Sequence, residues 1–252
     1  MSYHILCWSG GFDSTAVLIG ATRWLAEAPY INDQYYVVSC DLDATANRVE
    51  DKKARDDIKK FILESNVISP QVKDRISFYE TKLEWNSPPN ACSAQAPIWG
   101  FLIGNSVPVT EDPVFISFGY IKGDDFWHNR ENFEKIVRSI VDWNFKWKDI
   151  KPNLSFYYPV EWKTKRDLLI DYVNHREVFD LISWAGDTAT VKLKEKDELL
   201  DIFNLMQNAI YVAKPITGEE KKKEECAKMM VTESAMVQID VKSIQDEFNF
   251  TI

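Results

Sequence analysis

The feature that most constrains this chain is a turn near its start. Ser9-Gly10-Gly11-Phe12-Asp13-Ser14-Thr15 lies between a short apolar run, His4–Trp8, and an amphipathic stretch, Ser14–Ala28. The apolar run stops at two glycines, as a buried strand does. In the following stretch Val17, Leu18, Ala21, Leu25 and Ala28 recur at helical spacing. Strand, glycine turn and helix together open a βαβ unit, so a parallel sheet is expected. The same turn suits phosphate, because a helix N-terminus offers N–H groups without partners and a partial positive charge. Gly10 and Gly11 admit backbone approaches that a Cβ would block, and Ser9, Ser14 and Thr15 add hydroxyl donors. Asp13 would repel a phosphate; it reads either as a Mg²⁺ ligand or as an acceptor for the loop's own N–H groups. The GK[ST] ending of a Walker A loop is absent, and adjacent glycines exclude GxGxxG. The plainer alternative is an ordinary strand–helix turn.

Alternation continues downstream. Strands are expected at Tyr35–Cys40, Arg75–Tyr79, Val114–Phe118 (ending in Gly119) and Leu154–Tyr158, with helices at Asn47–Ser65, Arg130–Trp143 and Thr164–Asn174. Thr164 is a candidate N-cap. This pattern predicts an α/β fold: a doubly wound, mostly parallel five-stranded sheet with helices on both faces and right-handed crossovers. Ligands then bind beyond the carboxyl ends of the strands, near the switch in strand order. Two regions depart from the pattern. Glu84–Val107 holds Pro88, Pro89 and Pro97 and reads as a long loop before any helix, a length that is often functional. Residues 191–252 lose the alternation and read as a helical appendage to a main domain at 1–190, with Leu199, Ile202, Phe203, Met206 and Ile210 on one helix face. Glu219–Glu225 is a solvated charge run.

The net charge of −9 argues against a protein that grips a nucleic-acid backbone, so a small substrate is expected. No apolar stretch approaches the ~20 residues of a membrane span, and no signal peptide is read at the N-terminus. Cys7, Cys40, Cys92 and Cys226 are scattered, as reduced cytoplasmic thiols are.

Ser9-Gly10-Gly11-Phe12-Asp13-Ser14 resembles the SGGxDS loop of the N-type ATP pyrophosphatases, the PP-loop family, whose fold is HUP-like. The resemblance implies ATP and Mg²⁺, cleavage between the α- and β-phosphates, and a loop that grips the departing pyrophosphate. It makes Ser9, Gly10, Gly11, Phe12, Ser14, Thr15, Asp41 and Gly119 the candidate nucleotide-binding residues. Pro159-Val160-Glu161-Trp162-Lys163-Thr164-Lys165 is similar to the proline–tryptophan–threonine–lysine segment of 7-cyano-7-deazaguanine synthases, enzymes of queuosine biosynthesis. Val114–Gly119, Lys122-Gly123-Asp124-Asp125 and Asn129–Phe133 resemble the strand, acidic loop and helix before that segment. The likeness spans about residues 4–185 and is dense at three places. It implies a C–N ligase that adenylates a carboxylate on a 7-deazaguanine-like, purine-like base. An amine donor such as ammonia then displaces AMP. A divergent offshoot that stops at an amide or conjugates another amine fits too, as does a non-catalytic ATP-binding subunit; a homodimer or a larger complex is allowed.

Residue roles follow. Lys165 either neutralises charge on the leaving pyrophosphate as a catalytic cation or is one of a surface cluster with Lys163 and Arg166. Asp41 and Asp43 either bond the ribose or adenine or cap their loop. Asp124 and Asp125 either hold substrate or Mg²⁺ or form a solvated turn. Gln95 and Trp99 belong to the expected substrate segment, which is not the Gly-Arg-Asn type; Trp99 and Trp127 either pack or stack on a base. The synthases carry zinc-binding cysteines after the last strand–helix unit, whereas Asp180–Asp187 here has none. No structural zinc is expected, and Trp184 with the appended helix is expected to hold that segment instead.

Overall fold

In the computed structural model of the chain the described residues are 1–28, 32–42, 48–84, 95–121, 129–172, 175–184 and 189–213; the side chains of 42, 48, 95, 96, 189–193 and 207–213 are left aside. The elements run β1 (Tyr3–Cys7), α1 (Phe12–Glu27), β2 (Gln34–Leu42), α2 (Arg48–Glu64), α3 (Pro70–Lys73), β3 (Ile76–Leu83), α4 (Gln95–Asn105), β4 (Pro113–Phe118), α5 (Arg130–Asn144), β5 (Asn153–Tyr157), α6 (Lys165–Tyr172), α7 (Arg176–Leu181) and α8 (Ala189–Ala213).

The five strands form one sheet in the order β3-β2-β1-β4-β5, and every pairing is parallel. The α/β doubly wound fold is therefore present. After β1 the chain moves outward through β2 to β3, then returns across the sheet to β4 and β5. The order reverses between β1 and β4, and Cys7 pairs with Phe118 at the carboxyl ends of these two strands. That is where a crevice opens in such sheets.

Each face of the sheet has its own core. On one side Leu6, Val37, Leu18 and Ile58 pack with Leu168, Phe179 and Phe203 from α6, α7 and α8. On the other, Ile5, Ile116 and Phe118 pack with Ile103 of α4 and Phe133 and Val137 of α5. Each such side chain contributes roughly 1.5–3 kcal/mol on leaving water. Alternation of Ile5 and Leu6 between the two faces is the period-two signature of a strand buried on both sides.

Three elements were not expected from the sequence. α4 lies in the stretch read as loop, and α3 and α7 have only four and six residues. Thr164 does cap α6: the Asp167 N–H donates to Thr164 Oγ1 at 3.2 Å, and the Thr164 N–H donates to Asp167 Oδ2 at 2.6 Å. This reciprocal pair is a capping box with aspartate in the acidic position. α8 is bound to the main body through Leu199, Ile202, Phe203 and Met206, which join the first core. No helix among the described residues is long and apolar enough to cross a membrane.

Candidate functional site

The 9–15 loop stands at the carboxyl end of β1 and feeds α1. Gly10 adopts φ +88°, a left-handed conformation that favours glycine. A Cβ there would also meet Arg55 Cγ at 2.8 Å. Gly10 thus faces α2, and Gly11 becomes the N-cap of α1 with no side-chain cap on the helix. By geometry the first-turn amides have no acceptor within the helix. The loop braces itself: Ser9 Oγ and Ser14 Oγ are 3.0 Å apart, and the Gly11 N–H donates to Ser9 Oγ at 3.3 Å.

Gly119 closes the opposite wall. A Cβ on it would lie 2.5 Å from the Ser14 backbone nitrogen and 2.8 Å from the Asp13 carbonyl carbon. Its role is to let the end of β4 approach the first turn of α1. A third wall comes from after α7. Ser183 forms an isolated parallel bridge with Gly11, its N–H donating to the Gly10 carbonyl at 3.1 Å. The Ser183 hydroxyl donates to Asp51 Oδ1 of α2.

Behind these groups sits an aromatic block. Phe12 stacks on Tyr172 at 5.0 Å between ring centres, and Trp184 lies 5.5 Å from Phe12 and 5.9 Å from Phe179. Phe179 stacks on Phe203 of α8 at 4.9 Å and 4°. The Tyr172 hydroxyl donates to the Phe12 carbonyl. Trp184 thus packs on both Phe12 and Phe179, and α8 reaches the same block through Phe203; residues 185–187 of the segment without cysteines lie outside the described residues. Among the described residues no three His, Cys, Asp or Glu side chains form a metal-binding group; Cys92 and Cys226 lie outside them.

A cleft of ≈ 340 Å³ remains between these walls, lined by Ser9, Gly11, Phe12, Asp13, Ser14, Trp99, Gly119 and Lys165, with Cys7, Asp51, Tyr120, Ser183 and Trp184. Lys165 reaches it from the first turn of α6. Its ammonium also pairs with Glu195 of α8 at 2.9 Å, and its side chain is only 18% exposed. The Trp184 indole N–H is buried with no hydrogen-bond partner among the described residues, so a donor is available at the cleft.

Not every expected residue lines it. Thr15 is fully buried, and its hydroxyl accepts from the Trp8 indole N–H at 3.0 Å. Asp41 is buried at the carboxyl end of β2, outside the lining. Gln95 is the first residue of α4. Asp43, Asp124, Asp125 and Trp127 lie outside the described residues.

Besides Ser183, two further groups were not anticipated. Asp51 lines the cleft from the first turn of α2; burial raises its pKa, while the Ser183 hydrogen bond and Arg55 act in the opposite direction. Arg55, 5% exposed, donates to the Ser9 carbonyl at 3.2 Å and to Glu80 Oε1 at 2.9 Å, fixing the loop from behind. The acidic first turn of α2 was visible in sequence, but nothing there tied it to the loop.

No family model and no curated protein matches this sequence.

Proposed function

We propose that this chain is an ATP-dependent C–N ligase of the PP-loop type, releasing AMP and pyrophosphate while activating a carboxylate on a 7-deazaguanine-like base. One observation carries the reading: an uncapped helix N-terminus at the β1/β4 switch point faces a lysine across a closed-walled cleft. That arrangement suits a polyphosphate whose charge grows during reaction.

In this chemistry the substrate carboxylate attacks the α-phosphorus of ATP, the bond between that phosphorus and the α–β bridging oxygen breaks, and pyrophosphate leaves. An amine then attacks the acyl carbon, and AMP departs with the bonding electrons. The chain's own groups act by position and charge. First-turn amides of α1 and the Ser9 and Ser14 hydroxyls hold the departing pyrophosphate. Lys165 meets the charge that builds on the bridging oxygen, after ATP competes with Glu195 for its ammonium. Among the described residues Asp13 and Asp51 are the carboxylates that line the cleft. An oxygen-only donor set of this kind matches the preference of Mg²⁺, which would supply charge neutralisation on the phosphates. A Mg²⁺ ion would also relieve the cost of burying the Asp51 carboxylate.

The Lys165–Glu195 pair favours one second reading, a non-catalytic nucleotide-binding subunit in which this lysine is structural. One experiment separates the readings. Purified chain is given Mg-ATP, 7-carboxy-7-deazaguanine and ammonia, and the spent nucleotide is chromatographed. AMP with a new amide or nitrile mass supports the ligase. ADP as the main product overturns the PP-loop assignment, and ATP binding without turnover supports the subunit.

A further inference from the structure

The sheet is covered unevenly. On the face that carries α1, alternate residues of β5 are exposed: Asn153, Ser155 and Tyr157. A groove of ≈ 480 Å³ runs between α1 and this open side. Among the described residues it shares none of its lining with the cleft beside the 9–15 loop.

The floor of the groove is aromatic. His4 stacks on Tyr35 at 5.7 Å and 9°, and on Phe115 at 5.1 Å and 21°. Trp24 of α1 rises beside them, 5.1 Å from the His4 ring, and Tyr157, 59% exposed, stands on the other side. Burial lowers the His4 pKa although Asp33 opposes this, so the floor is neutral near pH 7. Gly20 of α1 opens onto the groove, with no heavy atom within 4 Å of where its Cβ would be. A volume of this size falls within the range of small-ligand pockets, about 300–1,000 Å³.

Charge is concentrated at one end. Asp171 of α6, 9% exposed, is shared by two cations: Arg23 and, at 3.4 Å, Lys163. Two cations on one carboxylate leave one positive charge in surplus. Lys163 and Asp171 both line the groove while Arg23 stands outside the lining; the Asp171 side chain is 10% exposed and that of Lys163 41%. It can turn to an incoming anion while Arg23 keeps Asp171 neutralised.

We propose that this groove binds a planar aromatic acid. Its ring lies on the His4–Tyr35–Phe115 floor between Trp24 and Tyr157, and its carboxylate meets Lys163. Flat faces are what such a floor rewards, through offset and edge contacts. The site is independent of the triphosphate and does not rest on the ligase reading.

Indole-3-carboxylate and neutral indole are the probes, titrated into the full-length chain by calorimetry. The acid should bind saturably and the neutral ring roughly tenfold more weakly. Gly20→Leu fills the groove from the helix and should abolish binding of both, with circular dichroism and thermal midpoint unchanged. Lys163→Met should weaken the acid roughly tenfold and leave indole unaffected. If Gly20→Leu does not fold, the Lys163→Met comparison decides alone. Absence of saturable binding to the wild-type chain, equal affinity for the two probes, or wild-type affinity in a folded Gly20→Leu variant would each overturn the proposal. So would a self-association in sedimentation that Gly20→Leu removes, since a second copy would then own the groove.

Discussion

The Lys165 ammonium lies 2.9 Å from Glu195 Oε1, joining the first turn of α6 to the start of α8 at the edge of the cleft beside the 9–15 loop. A lysine so engaged is partly neutralised before any nucleotide arrives. If it serves the leaving pyrophosphate, Lys165→Met should lower kcat by about 10²–10³-fold while changing ATP affinity less, because the loop also holds ground-state ATP. Lys163→Met should lower it far less. Glu195→Gln removes the competing charge and should tighten ATP binding several-fold. Steady-state pyrophosphate release gives all three; equal losses in the two lysine variants would refute the role of Lys165.

Asp13→Ala should abolish turnover in a folded protein. The residue sits in the first turn of α1 and is absent from both cores, so little packing is lost. Circular dichroism and pyrophosphate release read the two halves of this expectation, and near-normal turnover in a folded variant would refute it.

Gly119→Ala should cost stability even though it adds one methyl group. The atoms it would meet are backbone atoms of Ser14 and Asp13, which cannot swing aside as a flexible side chain can. Overpacking of this kind costs about 1–3 kcal/mol. The urea midpoint should fall accordingly, and on the proposed function nucleotide binding should weaken with it because the displaced atoms belong to the first turn of α1.

Acid should destabilise the fold through two histidines. Burial lowers the pKa of His4 from its ordinary 6.5, with Asp33 opposing; burial and Arg23 lower that of His175, with Glu177 opposing. Below pH 6.5 the unfolded chain therefore binds more protons than the folded one, and stability must drop as pH falls. Their contribution is fully present above pH 6.5, with a limiting slope of about 1.4 kcal/mol per pH unit for each group. Urea midpoints between pH 7.5 and 5.5 should show the fall, and the double variant His4→Gln, His175→Gln should flatten it.

Cys7 and Cys40 should resist a thiol reagent until the chain unfolds. Burial raises the Cys7 pKa well above its usual range and pushes Cys40 to about 11, so almost no thiolate exists at pH 8. Quantification of labelled peptides, native against denatured, checks this; rapid native labelling of Cys7 would mean that the cleft it lines is far more open.

Much of the fold was legible because β1, β2 and β4 are short apolar runs ended by turns, and α1, α2 and α5 carry clean helical stripes. α4 was hidden for a physical reason. Gln95–Asn105 is apolar on most sides and contains Pro97, Gly100 and Gly104, so it shows no polar-apolar stripe. Ser9, Gly11, Phe12, Asp13, Ser14, Gly119, Trp99 and Lys165 were named from the loop motif and the family resemblance and do line one cleft, whereas Gly10 is outside the lining. Asp51, Arg55 and Ser183 were not, since each reaches the loop from an element far away in the chain and only the tertiary fold brings them there. Thr15 shows the converse: a hydroxyl beside the motif that the core claims for Trp8.

The bridge between Gly11 and Ser183 has a consequence for synthesis. A nascent chain that has emerged as far as Tyr157 carries all five strands, yet its ninth to fifteenth residues still lack the segment that hydrogen-bonds them. Phe179 and Trp184, which pack on Phe12, emerge with that segment, and Phe203 of α8, which stacks on Phe179, leaves the ribosome later still. If the proposed function holds, competence to hold a nucleotide should arrive abruptly and late in translation, and a truncated product would have a nearly whole sheet with an unfinished mouth.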